Sequence, residues 1–487
     1  MTQPNTPQRF RALRRVLPPL LGAALVLAPA ACQVPPAQPD DGPGSRGKVL
    51  TGQLVRDSAV HTAAHPLWTA SEVVHDTATG LVGAGRELFW KRLYLCLTQA
   101  PPPVAEDRNV LDPDCLEAEL HELTGSGLQP AQVHFDLDGA EALRDLEALL
   151  DGATARIDVL IYQWDSDALG WALARRLAAR AASLCDEHGP AVRVLVDGGG
   201  NLIFGPPEDR TAAQVNAAVT WLAKQPNVEV LRTRNGLARF DHRKLVVVDG
   251  RVAWSGGRNF TISSFFDYHD VSYLLRGPLV DDMAGRFEAA WRDAGGPARA
   301  TSGPGGPGLP ADCNAWARVV GTGAREHALA ACLCRAIDHA WHHVYLENPY
   351  FTEGQLWCRL VKARRRGADV RVVLARDSQS KVIDMALRVT VNRLLKEGIR
   401  VYVHPGAIHS KAASVDGRWA YVGTGNFDSL SLRRNNEVGL AVGGGPLIAE
   451  LEHRLFEADF RPEWEVKETM PTTVSDYLAE LLANMFL

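Results

Sequence analysis

The segment His242–Gly277 recurs as His409–Gly444 at a constant offset of 167 residues, with no gap. Thirteen of the 36 aligned positions are identical: His242/His409, Lys244/Lys411, Val248/Val415, Asp249/Asp416, Gly250/Gly417, Arg251/Arg418, Ala253/Ala420, Gly256/Gly423, Asn259/Asn426, Phe260/Phe427, Ser264/Ser431, Val271/Val438 and Gly277/Gly444. Asp270 faces Glu437, acid against acid. Such a chain is an internal duplication and folds as two similar units. Any chemistry borne by the repeat is present twice.

The flanking sequence supplies the rest of each unit. Around the first copy, Ala140–Leu150 has helical spacing and Ile157–Tyr162 is a β-branched strand. A helix over Ala168–Leu184 then leads to the strand Val192–Val196. Around the second, helices over Ala324–Ala340, Gln355–Arg366 and Val382–Lys396 alternate with strands Val344–Leu346, Val370–Leu374 and Arg400–Val403. This alternation predicts an α/β class in two similar lobes, each a mixed β-sheet flanked by helices. The lobes are expected at 134–294 and 313–487, the second ending in a helix. They flank a Gly/Pro-rich linker at 295–312 that contains Gly303-Pro-Gly-Gly-Pro307. Residues 50–133 form an N-terminal extension with helical patterning and no chemical motif. Its Phe89, Trp90 and Tyr94 suit packing on the main body better than membrane contact.

The first residues stand apart from the fold. Arg9, Arg11, Arg14 and Arg15 precede an apolar run from Val16 to Ala28, followed by Ala28-Pro29-Ala30. This is the layout of a signal peptide over 1–31 and predicts export to the periplasm, the cell envelope or the medium. Lipid anchoring through Cys32 is the alternative to free export, and residues 32–49 read as a disordered tether. Without residues 1–30 the chain has 48 basic and 57 acidic residues, a net charge of −9. That balance opposes sequence-independent nucleic-acid binding, which relies on neutralising many phosphates. Cys96 and Cys115 bracket Pro101–Pro103 and are placed to close that loop, but eight cysteines leave the connectivity open.

Each repeat reads H-x-K-x4-D-x6-G-x-x-N. An imidazole and an ammonium two residues apart on a strand project from the same face. The Asp-Gly pair that follows is a hairpin-turn signature. Asp249 and Asp416 therefore belong to the motif's candidate catalytic set with His242, Lys244, His409 and Lys411, although turn and scaffold duty suits them better than proton transfer. The glycine and asparagine carry the chain back to the histidine end, where an amide can donate to an oxyanion. Two copies face to face place two histidines, two lysines and two amides around one point. This is a complete phosphoryl-transfer set without a metal or cofactor. Lys244, Asn259, Lys411 and Asn426 are the candidate phosphate-binding residues. Each imidazole also needs a carboxylate to fix its tautomer, and Asp270 and Glu437, each 28 residues after a motif histidine, are the symmetric candidates.

With these residues the chain resembles the phospholipase D superfamily, whose HKD motif is H-x-K-x4-D with a downstream G-x-x-N and Ser. It is most similar to two-motif bacterial members of the cardiolipin synthase type. Asp197-Gly198, Asn348-Pro-Tyr-Phe351, Gly256-Gly-Arg-Asn259, Asn426–Ser431 and Asn436-Glu437 support the resemblance, which covers about residues 134–465. The resemblance implies a duplicated phospholipase D fold with a pseudo-two-fold axis, a monomer with pseudo-dimeric lobes. It also implies ping-pong transfer through a phosphohistidine, with a phospholipid at a membrane surface as substrate and water or an alcohol as acceptor. Precedent in the superfamily makes His242 the nucleophile and His409 the general acid/base. Cardiolipin synthases of this type usually begin with transmembrane helices, whereas this chain begins with a signal peptide and an unfamiliar extension.

Rival readings are an HKD-type nuclease and a non-catalytic lipid-binding protein on the same fold. Arg364-Arg365-Arg366 would serve the first, although such a run near a helix end reads as a solvated face. His339 and His343 are four residues apart, but the helix is expected to end before His343, which separates them. The apolar stripe Leu478, Leu481, Leu482, Met485 and Phe486 is expected to pack on the body.

Overall fold

The computed structural model describes residues 113–486, apart from the short segments 187–188, 204–210, 235–238, 300–307, 325, 377 and 379–380. The expectations for the signal peptide, the tether, most of the N-terminal extension and Cys96 fall outside the described residues.

The first lobe contains β1 (Gln129–Asp136), β2 (Ile157–Ile161), β3 (Val192–Val196), β4 (Val228–Arg232), β5 (Lys244–Val248), β6 (Val252–Gly256), the two-residue β7 (Tyr268–His269) and β8 (Ser272–Arg276). The second contains β9 (Ala315–Thr322), β10 (His343–Glu347), β11 (Asp369–Ala375), β12 (Arg400–His404), the two-residue β13 (Ala407–Ile408), β14 (Ala412–Val415), β15 (Trp419–Gly423) and β16 (Glu437–Gly443). Fourteen of these strands form one sheet, in the order β12-β11-β10-β14-β15-β16-β9-β1-β8-β6-β5-β2-β3-β4. Under the repeat the order is a palindrome centred on β9 and β1. The sheet is two copies of one seven-stranded half, joined by an antiparallel pair that aligns Gln129 with Ala317 and Ala131 with Ala315.

Local chemistry explains the elements. All five residues of both β2 and β3 are buried. They run parallel to each other in the interior of the sheet, covered on both faces, and their one polar pair, Asp158 and Arg193, is buried with a hydrogen bond of 2.7 Å. The helix Gly139–Asp151 begins where the Asp138 carboxylate accepts from the Ala140 and Glu141 amides at 2.9 and 3.0 Å. The helix Gly354–Arg366 ends at Gly367, whose φ of 102° suits glycine. One apolar core lies within each lobe. A third spans the joint, packing Val133, Leu275 and Trp291 with Ala317, Leu440 and Phe456. The central β9–β1 pair is therefore backed by a core that both lobes share.

Several expectations change here. A lobe boundary at residue 134 cuts through β1, which starts at Gln129. The last part of the extension also belongs to the body. The helix Pro113–Thr124 buries Leu116 and Leu120 among Leu329, Leu333 and Ile337 of the second lobe, and Glu119 pairs with Arg335 at 2.7 Å. Arg364, Arg365 and Arg366 are not a solvated face. Arg364 donates to the Gly398 carbonyl at 2.9 Å, Arg365 pairs with Glu397 at 2.8 Å, and Arg366 donates to the Ile337 carbonyl at 2.8 Å. The C-terminal helix Val474–Phe486 lies against the helix Lys381–Lys396 through Ala479 and Ala483 and the Arg388–Asp476 pair at 2.5 Å. Leu478 of its apolar stripe stays 55% exposed, off the packed face.

Candidate active site

The two motif histidines sit where the lobes meet, His242 just before Lys244 opens β5 and His409 two residues before Lys411, which immediately precedes β14. The His242 amide donates to the Asn436 carbonyl at 3.0 Å, and the His409 amide donates to the His269 carbonyl at 2.8 Å. Under the 167-residue offset these are the same bond, made once from each lobe to the other. Asp197 fixes the approach to His242. One of its carboxylate oxygens accepts from the Asp241 amide at 2.8 Å, and the other from the Gly199 and Gly200 amides at 2.7 and 2.8 Å.

The carboxylates also cross over. His242 Nδ1 lies 3.0 Å from both oxygens of Glu437, in the second lobe. His409 Nδ1 lies 2.7 Å from Asp270 Oδ2, in the first. A carboxylate is acceptor-only, so each Nδ1 carries a proton and each Nε2 is left with its lone pair. Both acids are fully buried and held by further donors. Thr424 Oγ1 donates to Glu437 at 2.5 Å, and the Val271 amide donates to Asp270 Oδ1 at 2.8 Å. Space for the second carboxylate depends on Gly257, where a Cβ would stand 2.0 Å from Asp270 Oδ1.

Lys244 and Lys411 are buried. Lys244 Nζ donates to the His242 carbonyl at 2.6 Å and lies 4.9 Å from the centre of the Tyr162 ring, and Lys411 Nζ donates to the His409 carbonyl. An ammonium has three donors, so each lysine keeps capacity for a ligand. The amides of Asn259 and Asn426 are buried, and the Oδ1 atom of each has no hydrogen-bond partner. Tyr162 meets His242 edge-on at 4.6 Å between ring centres, closing that side of the imidazole.

Electrostatics follow from burial. Loss of water lowers His242 below the usual histidine range; Glu437 opposes this, and Lys244 and Lys411 reinforce it. Burial, with Lys411 beside it, pushes His409 down to about 3, against the pull of Asp270. Burial likewise lowers Lys411 to about 8 and Lys244 well below its usual value. Burial alone would raise Asp270 and Glu437, but the histidine each one faces and the nearby lysines more than offset it, and both stay ionised. The site thus holds neutral imidazoles and ionised carboxylates beside two lysines whose ammonium form burial disfavours and a bound anion would restore. Such a site attracts an anion.

The family model for the cardiolipin synthase, PLD-like domain matches residues 146–291 and 333–459, more than half of the chain. The chain belongs to the phospholipase D-like family. Among curated relatives it is similar to cardiolipin synthase B of Salmonella typhimurium, at 29% identity over 278 residues, covering 53% of this chain and 64% of that one. It is also similar to cardiolipin synthase B of Escherichia coli K12, at 27% identity over 312 residues, covering 60% and 71%. The chain thus spans somewhat under two thirds of the Salmonella relative. A solved phosphatidylserine synthase from Haemophilus influenzae shares the fold, with a TM-score of 0.56 at 15% identity over 77% of this chain and all of that one.

In this phospholipase D-like chain the structure brings His242, Lys244, Asp270, His409, Lys411 and Glu437 to the junction between the lobes, and it buries Asn259 and Asn426. It does not bring Asp249 and Asp416, and their grouping with the catalytic residues is corrected. They sit beyond the far ends of β5 and β14, at φ of 55° and 53°. Asp249 accepts from the amides of Thr154, Ala155 and Arg156, each at 2.8 Å. Asp416 accepts from those of Trp341, His342 and His343 at 2.9, 2.8 and 2.7 Å. Each aspartate ties the start of the neighbouring antiparallel strand, β2 or β10, to the motif hairpin. His339 and His343 are separated as expected: His339 faces Glu119 at 3.2 Å, and His343 faces Glu452 at 2.7 Å. Sequence reasoning missed Tyr162 and the pinning role of Asp197, whose only signal was its position after a strand.

Proposed function

We propose that the chain is a phospholipid phosphodiesterase or phosphatidyltransferase working through a phosphohistidine, with His242 as nucleophile and His409 as general acid and then base. The observation that carries this reading is the crossed pairing of each Nδ1 with the other lobe's carboxylate, which leaves each Nε2 its lone pair beside two buried lysines. The similarity to cardiolipin synthases supports a lipid substrate.

In the first half-reaction His242 Nε2 attacks phosphorus, forming an N–P bond as the bond to the leaving alcohol breaks. His409, protonated at Nε2, gives that proton to the departing oxygen and becomes neutral. In the second half-reaction His409 takes the proton of water or an acceptor alcohol, whose oxygen attacks phosphorus and expels His242. Lys244, Lys411, Asn259 and Asn426 hold the equatorial oxygens, where charge accumulates. The anionic phosphodiester favours the charged forms of the lysines against the burial that disfavours them, and so raises His409 into its acid form. His409 is the more open imidazole, 17% exposed against 10% for His242, which suits the group that meets the acceptor from solvent.

The test is to incubate the protein with phosphatidylglycerol, phosphatidylcholine and single-stranded DNA in excess EDTA and identify the products. Release of a lipid headgroup or formation of a new phosphatidyl ester is expected, because no step requires a metal. DNA cleavage without action on lipid vesicles would replace this reading by a nuclease. No turnover of any substrate by a folded protein would favour a binding role.

A further inference from the structure

Behind His409 lies a cluster that the reaction above does not use. His269 Nε2 is 2.9 Å from Asp459 Oδ2 and 3.3 Å from Glu347 Oε1. The His404 ring stacks on His269 at 4.9 Å, and one ring nitrogen of His404 lies within 4.8 Å of the His269 and Asp459 ligand atoms. Glu347 is fully buried and Asp459 is 4% exposed. Despite these short separations, His269 Nε2, Asp459 Oδ2 and Glu347 Oε2 have no partner with hydrogen-bond geometry. A protonated His269 has one Nε2–H and can satisfy one oxygen along one direction. Two carboxylates and two imidazoles converging in a buried pocket have more lone pairs than that proton can serve.

We propose that His269, His404 and Asp459, with Glu347 beside His269, form a binding site for one divalent transition-metal ion of the zinc class. Bonds of about 2.0–2.2 Å from nitrogen and carboxylate oxygen put the ligand atoms of a tetrahedral zinc about 3.3–3.5 Å apart. The separations from His269 to Glu347 and Asp459 are close to that edge. Two imidazoles with a carboxylate select zinc over magnesium or calcium, which prefer all-oxygen sets. The surroundings provide the usual outer partners. Ser410 Oγ donates to Glu347, and His404 Nδ1 faces both the Gly406 amide at 3.0 Å and the Gly406 carbonyl at 3.2 Å, which orients Nε2 away from the turn. His404 is only partly buried and precedes the exposed Pro405 and Gly406, so an ion has a way in.

The fold itself does not need this cluster. The repeat partner of His269 is Asn436, whose amide is engaged by Arg239 and Asp241 at 2.9 and 3.2 Å. The ion would tie together β7, the ends of β10 and β12, and the chain at Asp459. His269 also holds the His409 amide through its carbonyl and precedes Asp270. The metal therefore braces the frame of one histidine without touching the reacting atoms.

Two other groups of metal-ligating residues are weaker. Glu119, beside Cys115 and His339, is already paired with Arg335, and the group His134, Asp136 and Asp145 relies on a histidine that is 49% exposed. They serve as controls. Metal-free full-length protein is titrated with Co2+ and then with Zn2+, without substrate. The expected result is one Co2+ per chain with four-coordinate visible bands, no thiolate charge-transfer band, displacement by zinc, and a rise of several degrees in the thermal midpoint with zinc. His404→Gln and Asp459→Asn should each lose the bands and the rise while keeping the circular dichroism of the parent. Cys115→Ser and His134→Ala should keep both. If Asp459→Asn fails to fold, the partly exposed His404→Gln decides the matter alone. Absence of binding, binding that survives His404→Gln, or thiolate bands removed by Cys115→Ser would overturn the proposal.

Discussion

Asp270→Asn should invert the tautomer of His409. The Asp270 carboxylate accepts twice in two directions, from the Val271 amide at 2.8 Å and from His409 Nδ1 at 2.7 Å. An amide has only one oxygen. The buried Val271 N–H needs an acceptor, so the oxygen stays there and the new NH2 group turns to His409 Nδ1. His409 must then accept at Nδ1 and carry its proton on Nε2, where it can no longer act as a base. The imidazolium also loses a charge-assisted hydrogen bond of about 1.5–3 kcal/mol, which alone is about 10–150-fold in rate. Glu437→Gln is not forced in this way, because the neighbouring Thr424 hydroxyl can reverse and donate or accept as required. The assay uses a short-chain phosphatidyl ester of p-nitrophenol, a leaving group that needs no protonation. Asp270→Asn should keep a p-nitrophenol burst near one equivalent while the steady-state rate falls at least about 50-fold, between the two contributions. Glu437→Gln should weaken the burst itself. Steady-state rates within threefold of the parent in Asp270→Asn, or loss of its burst with an intact one in Glu437→Gln, would refute the assignment of the two halves.

Lys244→Ala and Lys411→Ala should each lower kcat about 100–1,000-fold with little change in the thermal midpoint, by analogy with single oxyanion donors; near-normal kcat would remove that lysine from the site. Binding of tungstate at pH 7 should take up protons, because burial and Lys411 hold His409 near 3 in the empty site and an anion raises it; calorimetry in buffers of differing ionisation enthalpy should read uptake, not release. Asp416→Ala strands three backbone donors and should cost about 3 kcal/mol of stability, seen in urea unfolding, while the folded fraction turns over normally; a specific loss of kcat would return Asp416 to the chemistry.

The repeat made much of this legible. A constant offset with paired His, Lys and Asn residues announces two lobes and one shared site, and the β-branched runs gave β2, β3 and β11 nearly to the residue. The central strands β1 and β9 were not legible, because Gln129–Asp136 mixes polar and apolar residues and only its pairing makes it a strand. The crossing of Asp270 and Glu437 to the opposite histidines was hidden too. Sequence spacing sets each acid 28 residues after its own motif histidine and says nothing of the partner lobe. The arginine run misled because the partners of Arg364 and Arg366, the carbonyls of Ile337, Ala340 and Gly398, are backbone groups without a sequence signature. The cluster of His269, Glu347, His404 and Asp459 comes from four separate segments, and no spacing rule joins them.

The most direct test of the central claim is to find the covalent intermediate. The His409→Ala variant is incubated briefly with the p-nitrophenyl substrate, quenched in alkali and digested with trypsin, and its peptides are examined by mass spectrometry. Without the base of the second half-reaction the adduct should persist, with the phosphatidyl mass on the peptide Phe240–Arg243 at His242 and none in His242→Ala. No histidine adduct in either variant, while p-nitrophenol is still released, would contradict the phosphohistidine mechanism. An adduct on His409 in His242→Ala would reverse the two roles.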